Sequence, residues 1–125
     1  MVLTTWATLA VLAVYFWTWA VAGRARIVHR VPAPSMDGPE AFLRAHRVQM
    51  NTLEMLPLVL VPLWLCASTM GDVWAAAGGL AWCVGRIMYA LGYYRDPAKR
   101  EAGFILGMLA SAVLIGATVF GLLVR

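Results

Sequence analysis

Four long stretches of this chain are almost free of charge, and they decide what it can fold into. Val2 to Ala22 and Ala102 to Val124 hold no charged residue, and Val73 to Tyr94 is interrupted only by Arg86. Met55 to Gly71 is also uncharged and extends backward through Glu54 and Asn51 to a polar start. An α-helix crosses the hydrocarbon core of a bilayer in about 20 residues. The expected fold is therefore all-α: a polytopic four-transmembrane-helix bundle with spans at about residues 2-22, 48-71, 73-94 and 102-124, in a single membrane domain over 1-125. Composition agrees, because 62% of the residues are hydrophobic and 13% charged, where a soluble domain carries roughly 25% charged. The formal charge of +4 does not indicate nucleic acid, since no basic cluster lies on a polar face.

Ala20-Val21-Ala22 has the small-residue form of a signal-cleavage site. The apolar run before it is longer than a signal's and no basic residue precedes it, so a retained first span is expected. Nine of the ten basic residues gather around two connections. Arg24, Arg26, Arg30, Arg44 and Arg47 surround the first, and Arg86, Arg95, Lys99 and Arg100 the third. The turn at Gly71-Asp72 has none. The positive-inside rule then puts the first and third connections on the cytoplasmic side and both termini on the other.

The first connection is the only long one, from Gly23 to about Gly38, and Pro32, Pro34 and Pro39 keep it from being a continuous helix. A second helix is expected from Glu40, well before its span. Pro57 and Pro62 lie inside it and remove the usual partners of the Leu53 and Leu58 carbonyls, so a kink is expected. Gly103, Gly107 and Ser111 recur every four residues in the last span, with Gly116 and Gly121 beyond, a spacing that lets helices approach closely. Cys66 and Cys83 stand alone inside spans with no CxxC, which indicates buried thiols and no metal site.

Chemistry must then come from polar residues within the spans, which are costly there and face a bundle interior or a wet cavity. Arg47, Asn51 and Glu54 stand at i, i+4 and i+7, so a cation, an amide and a carboxylate share one helix face. Gln49 lies roughly 200° around the helix from Arg47 and would reach a common ligand only from a different subunit. Arg86, Tyr89 and Tyr93 form a second stripe at i, i+3 and i+7, followed by Tyr94, Arg95, Lys99 and Arg100 around Pro97. A small, hydrophilic, mainly anionic ligand suits this set. The alternative is interfacial anchoring by Tyr and Arg, with Arg47 and Glu54 as a structural pair.

The run Arg47-Val-Gln49-Met-Asn51-Thr-Leu-Glu54-Met-Leu-Pro57 resembles the R-x-Q-x-N-x-x-E-x-x-P signature of the MAPEG family, the membrane-associated proteins in eicosanoid and glutathione metabolism. Gly38-Pro39-Glu40, Tyr89-Ala-Leu-Gly-Tyr93 and Arg100 extend the resemblance, which is nearest to the branch of leukotriene-C synthase and the type-two microsomal glutathione transferase. The resemblance implies a homotrimer that binds glutathione between subunits near the cytoplasmic face. Arg47, Asn51, Glu54, Tyr89 and Tyr93 would hold it from one subunit, Arg26 and Gln49 from the neighbour, and Arg100 would be the catalytic residue that stabilises the thiolate.

The implied activity is glutathione transfer to hydrophobic electrophiles from the bilayer, with hydroperoxide reduction as a further activity and detoxification as the setting. Two positions depart from the pattern: Ile27 replaces a second arginine to which proton donation to the lipid epoxide is attributed, and Met55 replaces a tyrosine. Leukotriene synthesis is therefore not expected. A competing reading is a lipid-binding or scaffold member of the family without catalysis. A small multidrug exporter is disfavoured, because its first span would carry a carboxylate and Val2 to Ala22 has none.

Overall fold

The computed structural model describes residues 1–125. It consists of four α-helices and one short 3-10 helix: α1 Val2–Val28, α2 Glu40–Met70, α3 Asp72–Arg95, the 3-10 helix Pro97–Arg100, and α4 Glu101–Leu123. Each of the four expected spans lies on its own helix. α1, α2 and the Pro97–Leu123 segment are long and apolar enough to cross a membrane. α3 is of comparable length and is made more polar by Arg86 and the tyrosines near its end.

The buried face of α1 is Thr4, Ala7, Val11, Val14, Thr18 and Ala22, and that of α4 is Gly103, Gly107, Ala110, Ser111, Leu114, Thr118 and Gly121. Both recur at three- and four-residue steps, which align on one side of a helix. Small residues point inward, while Trp6, Phe16, Trp19, Trp64, Trp74 and Phe120 point outward. This arrangement suits a bilayer, where lipid solvates large apolar groups and helices associate by close packing. Ala7, Val11, Leu63, Cys66, Ala75, Trp82 and Leu114 bring all four helices into one core. Both cysteines are free and buried in it, as expected.

α3 and α4 cross in near backbone contact. A Cβ on Gly85 would stand 2.6 Å from the Gly107 nitrogen, and one on Gly103 would collide with the Tyr89 backbone. The expectation of close packing by Gly103 and Gly107 therefore holds, and Tyr89 is fixed relative to the start of α4. Gly116 faces open space and has no such role.

Two boundaries refine the expectation. α2 starts at Glu40 as anticipated and runs unbroken across Pro57 and Pro62 as one helix. α1, however, passes Gly23 and ends at Val28. A single glycine costs a helix only about 1 kcal/mol, and the first residue to forbid continuation is Pro32. Arg24 and Arg26 consequently belong to a helix rather than to the connection.

α1 has no side-chain cap of its own at its start. Asp72, just after the turn at Gly71, supplies one: its carboxylate accepts from the Leu3 amide at 3.0 Å, the Thr4 amide at 2.7 Å and the Thr4 hydroxyl at 2.6 Å. These hydrogen bonds to the charged form hold the Asp72 pKa below its ordinary value. A lowered pKa contributes stability that is complete above the unfolded value of about 3.9. It fades as pH falls through the folded value. Asp72→Asn should therefore lower the thermal midpoint at neutral pH, and its difference from the unsubstituted protein should shrink as pH drops below about 4. Thermal unfolding across a pH series checks both. An equal difference at all pH values would mean that the charge is not what matters.

Candidate functional site

The two polar stripes meet in one cavity. The i, i+4, i+7 spacing turns Arg47, Asn51 and Glu54 of α2 toward Tyr89 and Tyr93 of α3, and Arg100 closes the set from the end of the 3-10 helix. His46 and Met50 complete the lining. The cavity holds about 470 Å³, within the usual size of a small-molecule site. A second hollow of about 320 Å³ shares Asn51, Tyr89 and Arg100 and adds Glu101 and Phe104.

Arg100 is held in place by its own turn. Asp96 caps the 3-10 helix by accepting from the Ala98 amide at 3.0 Å, and Arg100 Nη1 donates to the Pro97 carbonyl at 2.7 Å. The turn folds back onto α3 over Gly92, where any Cβ would collide with the Lys99 carbonyl. The Arg100 guanidinium thereby lies 5.9 Å from the Tyr93 ring centre. Tyr89 and Tyr93 pack at 5.6 Å, and Tyr89 rests against Phe104 at 6.2 Å.

The cations and the carboxylate of the cavity are not used on each other. The only ion pair in the protein is Arg44 with Glu40 at 3.4 Å, so Arg47 and Glu54 do not form the structural pair that the sequence left open. Both are exposed on the protomer. Beneath the cavity Arg86 is 1% exposed, donates to the Asn51 side-chain oxygen at 2.8 Å, and lies 4.2 Å from the Tyr89 ring centre. Two guanidinium groups, those of Arg47 and Arg100, therefore line a space that contains one carboxylate, an arrangement that favours an anion.

Two of the singled-out residues lie elsewhere in the protomer. Gln49 faces α1 and donates to the Tyr15 hydroxyl at 3.1 Å, on the far side of α2 from Arg47 as its position on the helix requires. Arg26 donates to the Ser35 carbonyl at 2.8 Å and lies 5.0 Å from the Phe42 ring centre, at a separate hollow with Ile27, Arg30, Val31 and Pro32. His46, Met50 and Phe104 were not singled out in the sequence. His46 and Met50 lie eight and four residues before Glu54, so the same helical stripe contained the signal for both.

The MAPEG family model matches residues 3–120. The chain belongs to the MAPEG family. It is thus an all-α integral membrane protein related to glutathione-using enzymes. An uncharacterized protein of Synechocystis is 47% identical over 93 residues, 74% of this chain and 68% of that protein. Microsomal glutathione S-transferase 2 of Mus musculus is 38% identical over 93 residues, 74% of this chain. Leukotriene C4 synthase of Cavia porcellus is 36% identical over 100 residues, 80% of this chain and 67% of that enzyme. The matched stretch spans 63% of the mouse transferase, less than two thirds of its length.

The fold-back of the 3-10 helix in this MAPEG chain generates a direct expectation. Gly92→Val should displace the Pro97–Arg100 turn and expose the Lys99 and Arg100 peptide bonds. Limited trypsin digestion should cut there roughly tenfold faster, as local opening becomes easier. An unchanged cleavage rate would show that the turn does not depend on the contact at Gly92.

Proposed function

We propose that this protein is a membrane glutathione transferase that activates glutathione as a thiolate and delivers it to hydrophobic electrophiles from the bilayer, with reduction of lipid hydroperoxides by the same thiolate as a second activity. The observation that carries the reading is the cavity in which Arg47, Asn51, Glu54, Tyr89, Tyr93 and Arg100 converge with no ion pair among them. Glutathione carries two carboxylates, one ammonium and a thiol. Arg47 matches a carboxylate, Asn51 a carbonyl or carboxylate oxygen, Glu54 the ammonium and the tyrosine hydroxyls the peptide groups. The names of the mouse and guinea-pig relatives support the same class of reaction.

A free thiol with a pKa of about 8.5 is mostly protonated at neutral pH. A guanidinium near the sulfur in a site of low dielectric favours the thiolate, and Arg100 is the group assigned to that role. A guanidinium has no site to accept a proton, so the thiol proton leaves to water. The sulfur lone pair then forms the carbon–sulfur bond as the electrophile's leaving group departs with its bonding pair. With a hydroperoxide the thiolate takes the terminal hydroxyl oxygen, the oxygen–oxygen bond breaks, and the departing alkoxide takes a proton from water to leave as the alcohol. A second glutathione reduces the resulting sulfenic acid to a disulfide and water. The second hollow, walled by Phe104 and opening beside Arg100, is the proposed entry for the apolar reactant.

The proposed assembly is a homotrimer with Arg26 and Gln49 reaching glutathione bound to the neighbouring subunit. The exposure of Arg47 and Glu54 on the isolated protomer supports an assembly, because unpaired charges facing lipid cost several kcal/mol. α3 is the third of four spans in this reading, and the α1–α2 and α3–α4 connections face the cytoplasm under the positive-inside rule.

Adding glutathione to the purified protein at neutral pH should produce the ultraviolet band of the thiolate. Arg100→Ala should abolish it and lower kcat/KM by about 100-fold, the scale of losing one donor to a developing anion. A band no stronger than that of free glutathione, or one untouched by Arg100→Ala, would overturn the thiolate assignment.

A further inference from the structure

Arg86 is the least exposed charged residue of the protein, and the proposed reaction makes no use of it. It lies within α3 at 1% exposure, with no carboxylate in salt-bridge range. A buried cation without a counter-ion is expensive, so what it does touch is informative. Its guanidinium is 4.2 Å from the Tyr89 ring centre and 5.7 Å from that of Trp82, two cation–π contacts that soften the desolvation. Nη1 donates to Asn51 Oδ1 at 2.8 Å and approaches Thr52 Oγ1 at 3.5 Å. Thr52 spends its own proton on the Val48 carbonyl at 2.7 Å, which leaves its oxygen free to accept. Nε has no partner.

A guanidinium can only donate, and a side-chain amide has one accepting end and one donating end. The end of Asn51 that meets Arg86 is therefore the oxygen, by chemical necessity. Asn51 Nδ2 makes no hydrogen bond within the protein, and Asn51 lines both hollows of the site. Without Arg86 the amide would be free to rotate by half a turn and present its oxygen instead.

We infer that Arg86 is a positioning residue: it locks the Asn51 amide so that this face of the cavity offers only N–H donors and selects a carbonyl or carboxylate oxygen of the ligand. Glu54, one turn along α2, offers only acceptors. The pair gives the cavity a fixed donor-to-acceptor direction, which reads the orientation of a zwitterionic peptide. The role rests on the proposal that glutathione is the ligand.

The test is a double-substitution cycle on the purified full chain, with KM for glutathione and kcat measured separately. Arg86→Met should raise KM by about tenfold, the scale of one hydrogen bond to a charged group, and leave kcat within about twofold. Arg86→Lys, which can still donate to Oδ1, should recover much of that loss. In an Asn51→Ala background Arg86→Met should change KM by less than about twofold, because the group it positions is already gone. Asn51→Asp keeps a partner for Arg86 but replaces donors with acceptors, and should raise KM by at least about tenfold. Effects of Arg86→Met and Asn51→Ala that multiply, or an unaltered KM in Asn51→Asp, would overturn the positioning role while leaving the proposed function standing. Failure of the unsubstituted protein to bind glutathione would overturn both.

Discussion

Inside a bilayer a polar group cannot turn to water, so each must find a partner within the protein or bear the cost of having none. The four-helix arrangement follows this constraint closely. Thr8, Thr52 and Thr118 return their hydroxyl protons to the carbonyl four residues earlier, and Thr18 and Ser68 to the one three residues earlier. Trp64 donates across to Thr8, Arg44 to the Arg95 carbonyl, and Asp72 takes the free amides at the start of α1. Against that background, Arg47 and Glu54 make no side-chain hydrogen bond or ion pair, and the Asn51 amide nitrogen beside them is also unpartnered. These free valences, lining one cavity, say more about its ligand than its volume does.

The precision of that site comes from how closely the backbones meet. Contact between Gly85 and Gly107, and between Gly103 and Tyr89, fixes α3 against α4 with no side chain between them. Tyr89 and Tyr93 are carried on α3, while Arg100 sits on the turn that leads into α4, so the distance between phenols and guanidinium is set by backbone geometry. α2 brings the amide and carboxylate from the third direction, and Arg86 ties α3 to α2 through Asn51. Each functional group is thus borne by a helix or a short capped turn, and none by the long proline-rich connection.

What could be read from the sequence was what a single helix decides. The spacing of Arg47, Asn51 and Glu54 specifies one face whatever the neighbours do, and the same holds for Arg86, Tyr89 and Tyr93 and for the glycines of α4. The start of α2 was legible because Pro39 and the acidic Glu40 mark a helix entrance locally. What could not be read depends on the rotation of one helix against another. Nothing in the local pattern pairs Asp72 with Thr4, sixty-eight residues away, or turns Arg86 toward Asn51 rather than toward Glu54. The end of α1 lies beyond Gly23 for a different reason: a glycine weakens a helix, whereas a proline stops it.

The charge pattern also bears on how two reactants of opposite solubility can meet. Arg47 and Arg100 outnumber Glu54 around the cavity, and in a medium of reduced dielectric such an excess acts over several ångströms. It draws an anionic, water-soluble molecule into a region that would otherwise reject it. The outward faces of the same helices, with Trp6, Trp19, Trp74 and Phe120 exposed, are compatible only with an apolar surround. Under the proposed function, a nucleophile admitted by charge and an electrophile admitted by lipid solubility would reach Arg100 by separate routes. The second hollow differs from the first in adding Phe104, which with Tyr89 forms its apolar wall. On the same proposal, the size of Phe104 would govern which electrophiles approach the sulfur without altering how the proposed glutathione is held.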